Sequence, residues 1–485
     1  MNQSRAFLPI FLRSHPCRLS VCRFGVVAVM ACFLVSGLPA RLPAAQKKSP
    51  GWKAGAAAVV ITPDKPMWMA GYASRTKPSE GKIHDLYAKA LAVEGPHGSR
   101  LVMVTLDLIS VPRPLRDGLE HAVKQKFALP AAGLLVNCSH THSGPELRTT
   151  PSALRGLTTA RERQAETYAR KLQAKLVRLV GEALHDLGPA RLGYSHARCG
   201  FAMNRRTPSP TGFRNFPNPD GPVDHDVPVL RVIRPDGTLR AVVFGYACHN
   251  TTLGFYKFCG DYAGFAQYDL EAAHPGTTAL FVQGCGGDQN PYPRRTVELA
   301  RQHGRSLANA VEAALLTHPR PISGTLRSAI GLATVEYQTP PTRAELLRRK
   351  QSKNKYDRRY AERLLRQLKE RGKLRDRYRC PVQVVRFGDA LTLVALPGET
   401  VVDYSLRLKR ELTGGRGTRP AVWVAGYSND VFAYLPSRRV LQEGGYEGGG
   451  AMKYFATVVQ PGPFAASVEE RIVSKVHELL QQLGQ

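Results

Sequence analysis

The 485-residue sequence has few cysteines, few acidic residues and no long apolar run beyond residue 45. Of its nine cysteines, three fall within the first 45 residues, and none of the other six has CxxC spacing. Six cysteines in so long a chain exclude a disulfide scaffold; they fit buried thiols, with one or two disulfide bonds as the alternative. No stretch beyond residue 45 is apolar enough to span a membrane, and there is no internal repeat.

The shortage of acidic residues leaves a strongly basic chain. It has 68 Lys and Arg against 38 Asp and Glu, a formal net charge of +30. This charge favours contact with anionic partners such as lipid headgroups, cell-wall polymers or nucleic acid, and it carries no information about the fold.

The N-terminus is typical of an export signal. Several arginines precede the apolar run 25–38, and small residues follow it up to residue 45. Fourteen apolar residues are too few for a membrane span and suit the core of a signal peptide. We therefore predict a signal peptide at 1–45 and a secreted or periplasmic protein, with an uncleaved anchor as the alternative.

The rest of the chain alternates β-rich runs with amphipathic ones. This alternation, together with two hairpin patterns, predicts an α/β fold with mixed β-sheets flanked by helices in a single large domain, 46–485. The predicted elements are strands at 101–111, 133–140, 278–287 and 421–430, helices at 161–188, 295–317 and 467–484, and hairpins at 227–249 and 382–399.

A basic segment interrupts this pattern. Residues 342–380 hold 16 Lys and Arg against 5 Asp and Glu, with leucines at helical spacing. We predict a basic helical insertion, which either faces water or makes peripheral contact with an anionic membrane surface. Nucleic acid is not an expected partner, because the segment has few aromatic residues and the chain carries an export signal.

Several predicted strands end in residues that can bind a metal. His140 and His142 follow one strand, His249 follows a second, and Glu399 follows a third. Ligands in α/β sheets bind beyond the carboxyl ends of strands, and two His with one carboxylate are a common catalytic zinc set. The spacing is also compatible with polar loops, and it cannot select a tyrosine as a ligand.

The motifs around these residues resemble those of the neutral/alkaline, non-lysosomal ceramidase family. The resemblance extends over about 52–484, with the motifs in the same order. They are MAGYASR (69–75), NCSHTHSGPE (137–146), MNRR (203–206), YACHNTT (246–252), CGDYAGFAQYDLE (259–271), GCGGDQNP (284–291), PGET (397–400) and SNDVFAYLPSRRVLQEGGYEGG (428–449).

The resemblance implies a zinc-dependent amidohydrolase that uses one zinc per chain. It assigns the metal to His140, His249, Glu399 and Tyr434, and it implies that water on the zinc attacks the amide of an N-acyl sphingoid base or related N-acyl lipid. The other catalytic positions that it implies are His142 facing the substrate, Arg205 and Tyr446 stabilising the oxyanion, and Asn290.

Two departures from the family pattern widen the range of substrates. Asn290 stands where the family has a serine, and the sequence ends without the immunoglobulin-like domain of the larger ceramidases. The alternatives are therefore a zinc hydrolase of another amide or ester, or an inactive binder of anionic lipid or cell-wall polymer. A serine hydrolase is disfavoured, because Ser143 is not in a GxSxG motif.

Overall fold

A computed structural model describes residues 51–147, 159–413, 420–455 and 458–484. The predicted signal peptide at 1–45 lies outside these residues. Within them, no helix has the length and apolar character needed to cross a membrane.

The strands and helices alternate along the chain, as the sequence predicts. The strands are β1 Lys53–Val60, β2 Tyr87–Glu94, β3 Arg100–Leu106, β4 Leu134–Cys138, β5 Gly188–Pro189, β6 Arg191–Arg198, β7 Ala202–Ser209, β8 Gly212–Asn218, β9 Asp226–Ile233, β10 Leu239–Tyr246, β11 Thr278–Gln283, β12 Gln289–Pro291, β13 Arg320–Ile322, β14 Leu326–Glu336, β15 Arg377–Phe387, β16 Leu391–Ala395, β17 Glu399–Thr400, β18 Ala421–Ala425 and β19 Tyr434–Leu435. The helices are α1 Arg113–Phe127, α2 Ala160–His185, α3 Asp261–Ala273, α4 Val297–Leu316, α5 Arg343–Arg349, α6 Lys355–Arg371, α7 Val402–Thr413, α8 Arg438–Glu443 and α9 Val468–Gln482.

The sheets are mixed, which confirms the predicted fold class. Their strand orders are β4-β3-β2-β1-β5, β11-β10-β9-β6-β13, β12-β7-β8, β14-β15-β16-β18 and β17-β19. Most neighbours are antiparallel, including the two predicted hairpins β9–β10 and β15–β16. Parallel pairs occur at β3–β4, β10–β11, β16–β18 and β17–β19.

One apolar core joins the three larger sheets. It includes Leu91 and Leu135 from the first sheet, Val243 from the second, and Leu393 and Trp423 from the fourth. Because these side chains alternate along their strands, one face of each sheet meets the shared core and the other face is left for helices. Helices α2, α3, α4, α7 and α9 pack on those outer faces.

The sequence of α2 contains both a start signal and a buried apolar face, which explain why a helix forms there. Thr159 caps its first turn and forms a reciprocal capping box with Glu162. Leu172, Leu176 and Leu179 recur at helical spacing and are buried. The helix ends at His185, three residues before the end at 188 that the sequence predicts.

The basic segment contains the two helices α5 and α6. Its last residues, from Arg377, belong to strand β15, so the helical part ends at Arg371. The six cysteines of the described chain are free and buried, which confirms the interpretation as buried thiols and gives no disulfide bond among these residues.

Candidate metal centre

The site lies where the carboxyl ends of strands from different sheets meet. His140 follows β4 and His249 follows β10. Glu399 begins β17 and Tyr434 begins β19, and these two residues are direct partners in a parallel pair. The fold therefore brings together four side chains that are up to 294 positions apart in the sequence.

Isolated bridges between the sheets hold these strand ends together. Asn137, at the end of β4, pairs with Ser428, and Gly284, just after β11, pairs with Ala425 of β18. His140 has a positive φ of 58°, a conformation that non-glycine residues rarely adopt. Such strained residues occur where the surrounding structure fixes them, often at functional sites.

A glycine-rich turn lets two of these segments approach closely. A Cβ on Gly286 would lie 2.6 Å from the backbone nitrogen of Cys248, and a Cβ on Gly287 would lie 2.5 Å from the carbonyl oxygen of Glu399. Both distances are too short for a side chain. The pair of glycines after β11 is therefore required for His249 and Glu399 to lie next to each other.

The two strand-end histidines have a fixed tautomer when their rings are neutral. The Nδ1 of His140 donates to the carbonyl oxygen of Ile109 at 2.6 Å, and the Nδ1 of His249 donates to that of Gly286 at 2.7 Å. A carbonyl can only accept, so the proton sits on Nδ1 and each Nε2 presents a lone pair. Both Nε2 atoms lie 3.2 Å from the same oxygen, Oε2 of Glu399.

This arrangement fits a bound cation. Oε2 of Glu399 is buried and has no hydrogen-bond partner among the described residues. Two nitrogen lone pairs and a carboxylate oxygen that face one another repel unless a positive charge lies between them. Imidazole and carboxylate together suit zinc. The observed donor set is thus compatible with the predicted metal.

His142 also reaches this centre. Its Nε2 is 3.1 Å from Nε2 of His140, and the ring nitrogens of His140, His142 and His249 lie within 4.8 Å of one another. Its Nδ1 is buried without a partner in the described chain. The geometry therefore permits His142 either as a ligand or, as predicted, as a group that faces the substrate.

The electrostatics of the site favour neutral rings at His142 and His249 beside an ionised carboxylate at Glu399. Burial, with a further contribution from Arg205, lowers the pKa of His249 to about 4. Burial and the two neighbouring histidines hold the pKa of His142 well below its usual value. Burial alone would raise the pKa of Glu399, but the positive charge of His140, followed by that of His249, outweighs burial when these rings are protonated and lowers that pKa well below the usual range. A metal cation between the neutral rings would act on Glu399 in the same way. These protonation states are the ones that bind metals.

Tyr434 lies at the edge of the cluster. Its hydroxyl is 3.3 Å from Nε2 of His249 and accepts a hydrogen bond from Nη2 of Arg205 at 2.9 Å. Burial raises the pKa of Tyr434 well above its usual value, although Arg205 opposes this effect. The phenol is therefore neutral unless a cation draws its oxygen into coordination.

Arg205 connects the predicted catalytic residues. From β7, its Nη1 donates to Oδ1 of Asn290 at 3.2 Å, and its Nε donates to Glu447 at 2.8 Å. Its guanidinium lies 5.9 Å from the ring centroid of Tyr446. Tyr446 is 37% exposed and His142 is half-buried, so the site is open to solvent along this side.

The structure places every predicted site residue in or beside one cluster, and it adds residues that the sequence did not single out. Tyr72 packs edge-on against His142, with ring centroids 4.8 Å apart. Tyr427 packs on His140 at 4.6 Å, and Glu447 holds Arg205. Tyr72 and Glu447 lie inside the motifs at 69–75 and 428–449. These motifs were therefore the only features of the sequence that could have pointed to the two residues.

The chain is similar in sequence to one known protein family and in fold to solved structures. Residues 53–292 match the family described as neutral/alkaline non-lysosomal ceramidase, N-terminal. No curated protein sequence matches the chain. The fold is similar to the crystal structure of neutral ceramidase from Pseudomonas aeruginosa, with a TM-score of 0.68 and 18% identity over 88% of this chain and 74% of that one.

A second solved structure, a ceramidase complexed with C2, has a TM-score of 0.66 and 19% identity over 88% of this chain and 76% of that one. At these identities the structural likeness shows the fold, and the family match covers the segments that carry His140, Arg205 and His249. The chain belongs to the neutral/alkaline non-lysosomal ceramidase family.

Proposed function

We propose that this protein is a zinc-dependent amidohydrolase that cleaves an N-acyl sphingoid base or a related N-acyl lipid. The observation that carries this proposal is the meeting of Nε2 of His140 and Nε2 of His249 at 3.2 Å from Oε2 of Glu399. His140, His249 and Glu399 would hold the metal, with Tyr434 as a fourth ligand.

A zinc ion in this position would supply a water molecule of lowered pKa, which is a nucleophile at neutral pH. The chain's own residues supply the complementary charge. Burial disfavours the charge of Arg205, but Tyr434 and Glu447 outweigh it and raise its pKa well above the usual value. A permanent cation beside the cluster stabilises the negative charge that develops on an amide oxygen during hydrolysis.

The groups around Arg205 support the same chemistry. Tyr446 is a phenol whose pKa is raised chiefly by burial, so it keeps its proton and can donate a hydrogen bond to an oxyanion. Asn290 accepts from Arg205 and thereby helps to orient it. The reaction adds water across the C–N bond and releases a carboxylate and a free amine.

A second substrate class is favoured by Asn290. Its side chain contacts both Arg205 and, at 3.4 Å, the hydroxyl of Thr251, so it occupies the site at the place where the family carries a serine. An amide can donate a hydrogen bond to a carbonyl but has no hydroxyl proton to share. Another N-acyl amide, or an ester, is the alternative substrate.

The test is hydrolysis of an N-acylsphingosine, followed by release of fatty acid, beside a panel of other acyl amides and esters. We expect amide cleavage that a chelator abolishes and added zinc restores, and loss of at least about 1,000-fold in Glu399→Gln. Glu443→Gln, which alters a carboxylate outside the cluster, is the matched control. Cleavage that persists in Glu399→Gln or after complete metal removal would contradict the proposal.

A further inference from the structure

The turn that follows β12 places two consecutive arginines beside the metal centre. Nη1 of Arg295 is 3.4 Å from the hydroxyl of Tyr72, and its guanidinium carbon is 5.7 Å from the centre of that ring. The same ring packs edge-on against His142 at 4.8 Å. One aromatic ring therefore separates the charge of Arg295 from His142.

Arg294 approaches the opposite half of the cluster. Its guanidinium carbon lies 5.2 Å from the ring centre of Tyr292. The hydroxyl of Tyr292 accepts from Nδ2 of Asn290 at 3.5 Å, and Oδ1 of Asn290 accepts from Arg205. The two arginines thus flank the centre, one toward His142 and the other toward Arg205.

The backbone fixes this placement. Arg295 has a positive φ of 108°, which is strained for a residue with a side chain, and its N–H donates to the carbonyl oxygen of Thr252 at 2.7 Å. Thr252 lies three residues beyond His249. The loop is therefore tied to the segment that carries one of the proposed metal ligands.

No ion pair within the described residues balances the positive charge of this loop. Among the described residues, no carboxylate lies within 4.0 Å of Arg294 or Arg295. Arg75, a third cation, stacks on Tyr72 at 5.0 Å and donates to the carbonyl oxygens of His142 and Phe255. Surface arginines usually face water, but these stack on rings that touch the catalytic cluster.

The negative charge of one carboxylate influences the pKa of Tyr72, but this carboxylate does not neutralise the three arginines. It is Asp261, whose carboxylate is buried and accepts from the backbone N–H groups of Leu253 and Tyr262. The planar guanidinium of arginine donates paired hydrogen bonds to anions such as carboxylate, sulfonate and phosphate. A fatty acyl chain offers no such group, so the matching charge belongs to the amine half of the substrate.

We propose that Arg294 and Arg295 form a subsite for an anionic group on the amine half of the N-acyl substrate. This inference rests on the proposed amidohydrolase function and narrows it from neutral amides to N-acyl compounds that carry a carboxylate, sulfonate or phosphate close to the scissile bond.

The test compares three amides with the same acyl chain: N-lauroylglycine, N-lauroyltaurine and the neutral N-lauroylethanolamine. We expect kcat/KM for the better anionic amide to exceed that of the neutral one by about 10-fold or more. In Arg294→Gln/Arg295→Gln this ratio should fall close to one. The relative rates of the carboxylate and the sulfonate identify the anion.

The control is the variant Arg170→Gln/Arg178→Gln, which alters two exposed residues of α2. It changes the net charge by the same amount and should leave the ratio of kcat/KM values unchanged. A wild-type ratio of one or less, or a ratio that the loop variant does not alter, would overturn the subsite.

Calorimetric binding of the same amides separates this inference from the proposed function. If no amide is cleaved, the hydrolase proposal fails, but tighter binding of the anionic amides that is lost in the loop variant still supports the subsite. Equal binding of charged and neutral amides would overturn it.

Discussion

Three side chains hold the guanidinium of Arg205 in place. Its three nitrogens bond to Glu447, Asn290 and Tyr434. Glu447 also accepts from Arg206 at 2.7 Å, so one buried carboxylate bridges two arginines. Burial would raise the pKa of Glu447, but these two cations outweigh it and keep the pKa lowered. Glu447 is therefore a positioning residue for Arg205.

Replacement of this carboxylate by an amide should impair turnover and spare metal binding. In Glu447→Gln, Arg205 loses its charged partner and shifts relative to Tyr434. We expect kcat to fall about 10- to 100-fold, with KM and zinc content little changed. Steady-state kinetics and elemental analysis measure these quantities.

Glu443→Gln provides the comparison, because Glu443 bonds to Arg206 and Arg439 but not to Arg205. Equal losses of kcat in the two variants, or loss of zinc in Glu447→Gln, would show that Glu447 acts on the structure as a whole.

At the scale of elements, the site depends on how closely the turn after β11 approaches β17. In Gly287→Ala, the new methyl group would lie 2.5 Å from the carbonyl oxygen of Glu399 and must push the two segments apart. We expect the zinc content to fall well below one per chain, as measured by elemental analysis. Gly200→Ala, where nothing lies within 4 Å, should keep its zinc. Full zinc occupancy in Gly287→Ala would contradict this account of the turn.

A cluster of charged side chains joins β9 to α7. Lys409 lies 3.0 Å from Asp226 and 2.8 Å from Asp224, and Nδ1 of His196 lies 2.8 Å from Asp226. Burial would raise the pKa of Asp226, but His196 and Lys409 outweigh it and lower that pKa in the folded state. Its stabilising effect is therefore present above the unfolded pKa, about 4, and is lost as the pH falls through the folded pKa.

Asp226→Asn should lower the free energy of unfolding by about 2 kcal/mol near pH 6. The difference from the wild type should shrink as the pH falls below about 4. Asp226 also raises the pKa of His196, so a small part of the effect is lost as the pH rises through the folded pKa of that largely exposed ring. Denaturant unfolding at several pH values checks this. A difference that is independent of pH would contradict the assignment, and Asp389→Asn, at a 91% exposed side chain, is the control.

The sequence predicted several elements with strong periodicity, left out the amphipathic helix α1, and gave no signal for strands that lack periodicity. The helix predicted at 161–188 is α2, and the one at 467–484 is α9, with ends that differ by one to three residues. The polar strands β7 and β8 have no regular apolar alternation, so their pairing was not predicted. Arg205 and Asn290 lie on neighbouring strands of that sheet.

The site could be predicted in part from the same reasoning. Residues that follow apolar strands, such as His140 and His249, are visible from the pattern alone. Tyr434, Arg205 and Tyr446 were assigned through the family resemblance, because spacing does not reveal them. The positive φ of His140 and the role of Glu447 depend on contacts between distant segments, which local patterns do not encode.

At the scale of the whole molecule, the segment 342–380, with 16 Lys and Arg against 5 Asp and Glu, contributes +11 to the formal net charge of +30. A cleft of about 630 Å³ borders it, with one acid, Asp376, against six cations: Arg113, Arg371, Lys373, Arg375, Arg377 and Arg379. Helix α6 also reaches the active-site side, since the hydroxyl of Tyr356 donates to the carbonyl oxygen of Ala73, next to Tyr72. We propose that this basic surface contacts anionic membranes.

Vesicle binding tests this surface. The protein should bind phosphatidylglycerol vesicles and not phosphatidylcholine vesicles, with affinity that falls as salt is added. Each cation at an anionic surface contributes about 1 kcal/mol, so Arg359→Gln/Lys369→Gln/Arg371→Gln should weaken binding about 100-fold. Arg170→Gln/Lys171→Gln/Arg178→Gln on α2 removes the same charge and should change it far less. Equal weakening in both variants would mean that net charge alone drives binding.

The metal content of the purified protein tests the central claim most directly. Elemental analysis of the wild type should find about one zinc per chain. The double variant His140→Ala/His249→Ala should hold none, because it removes both nitrogen ligands that face Glu399. A wild-type protein that contains no zinc and takes none up on dialysis against it would contradict the metal centre and, with it, the proposed hydrolysis.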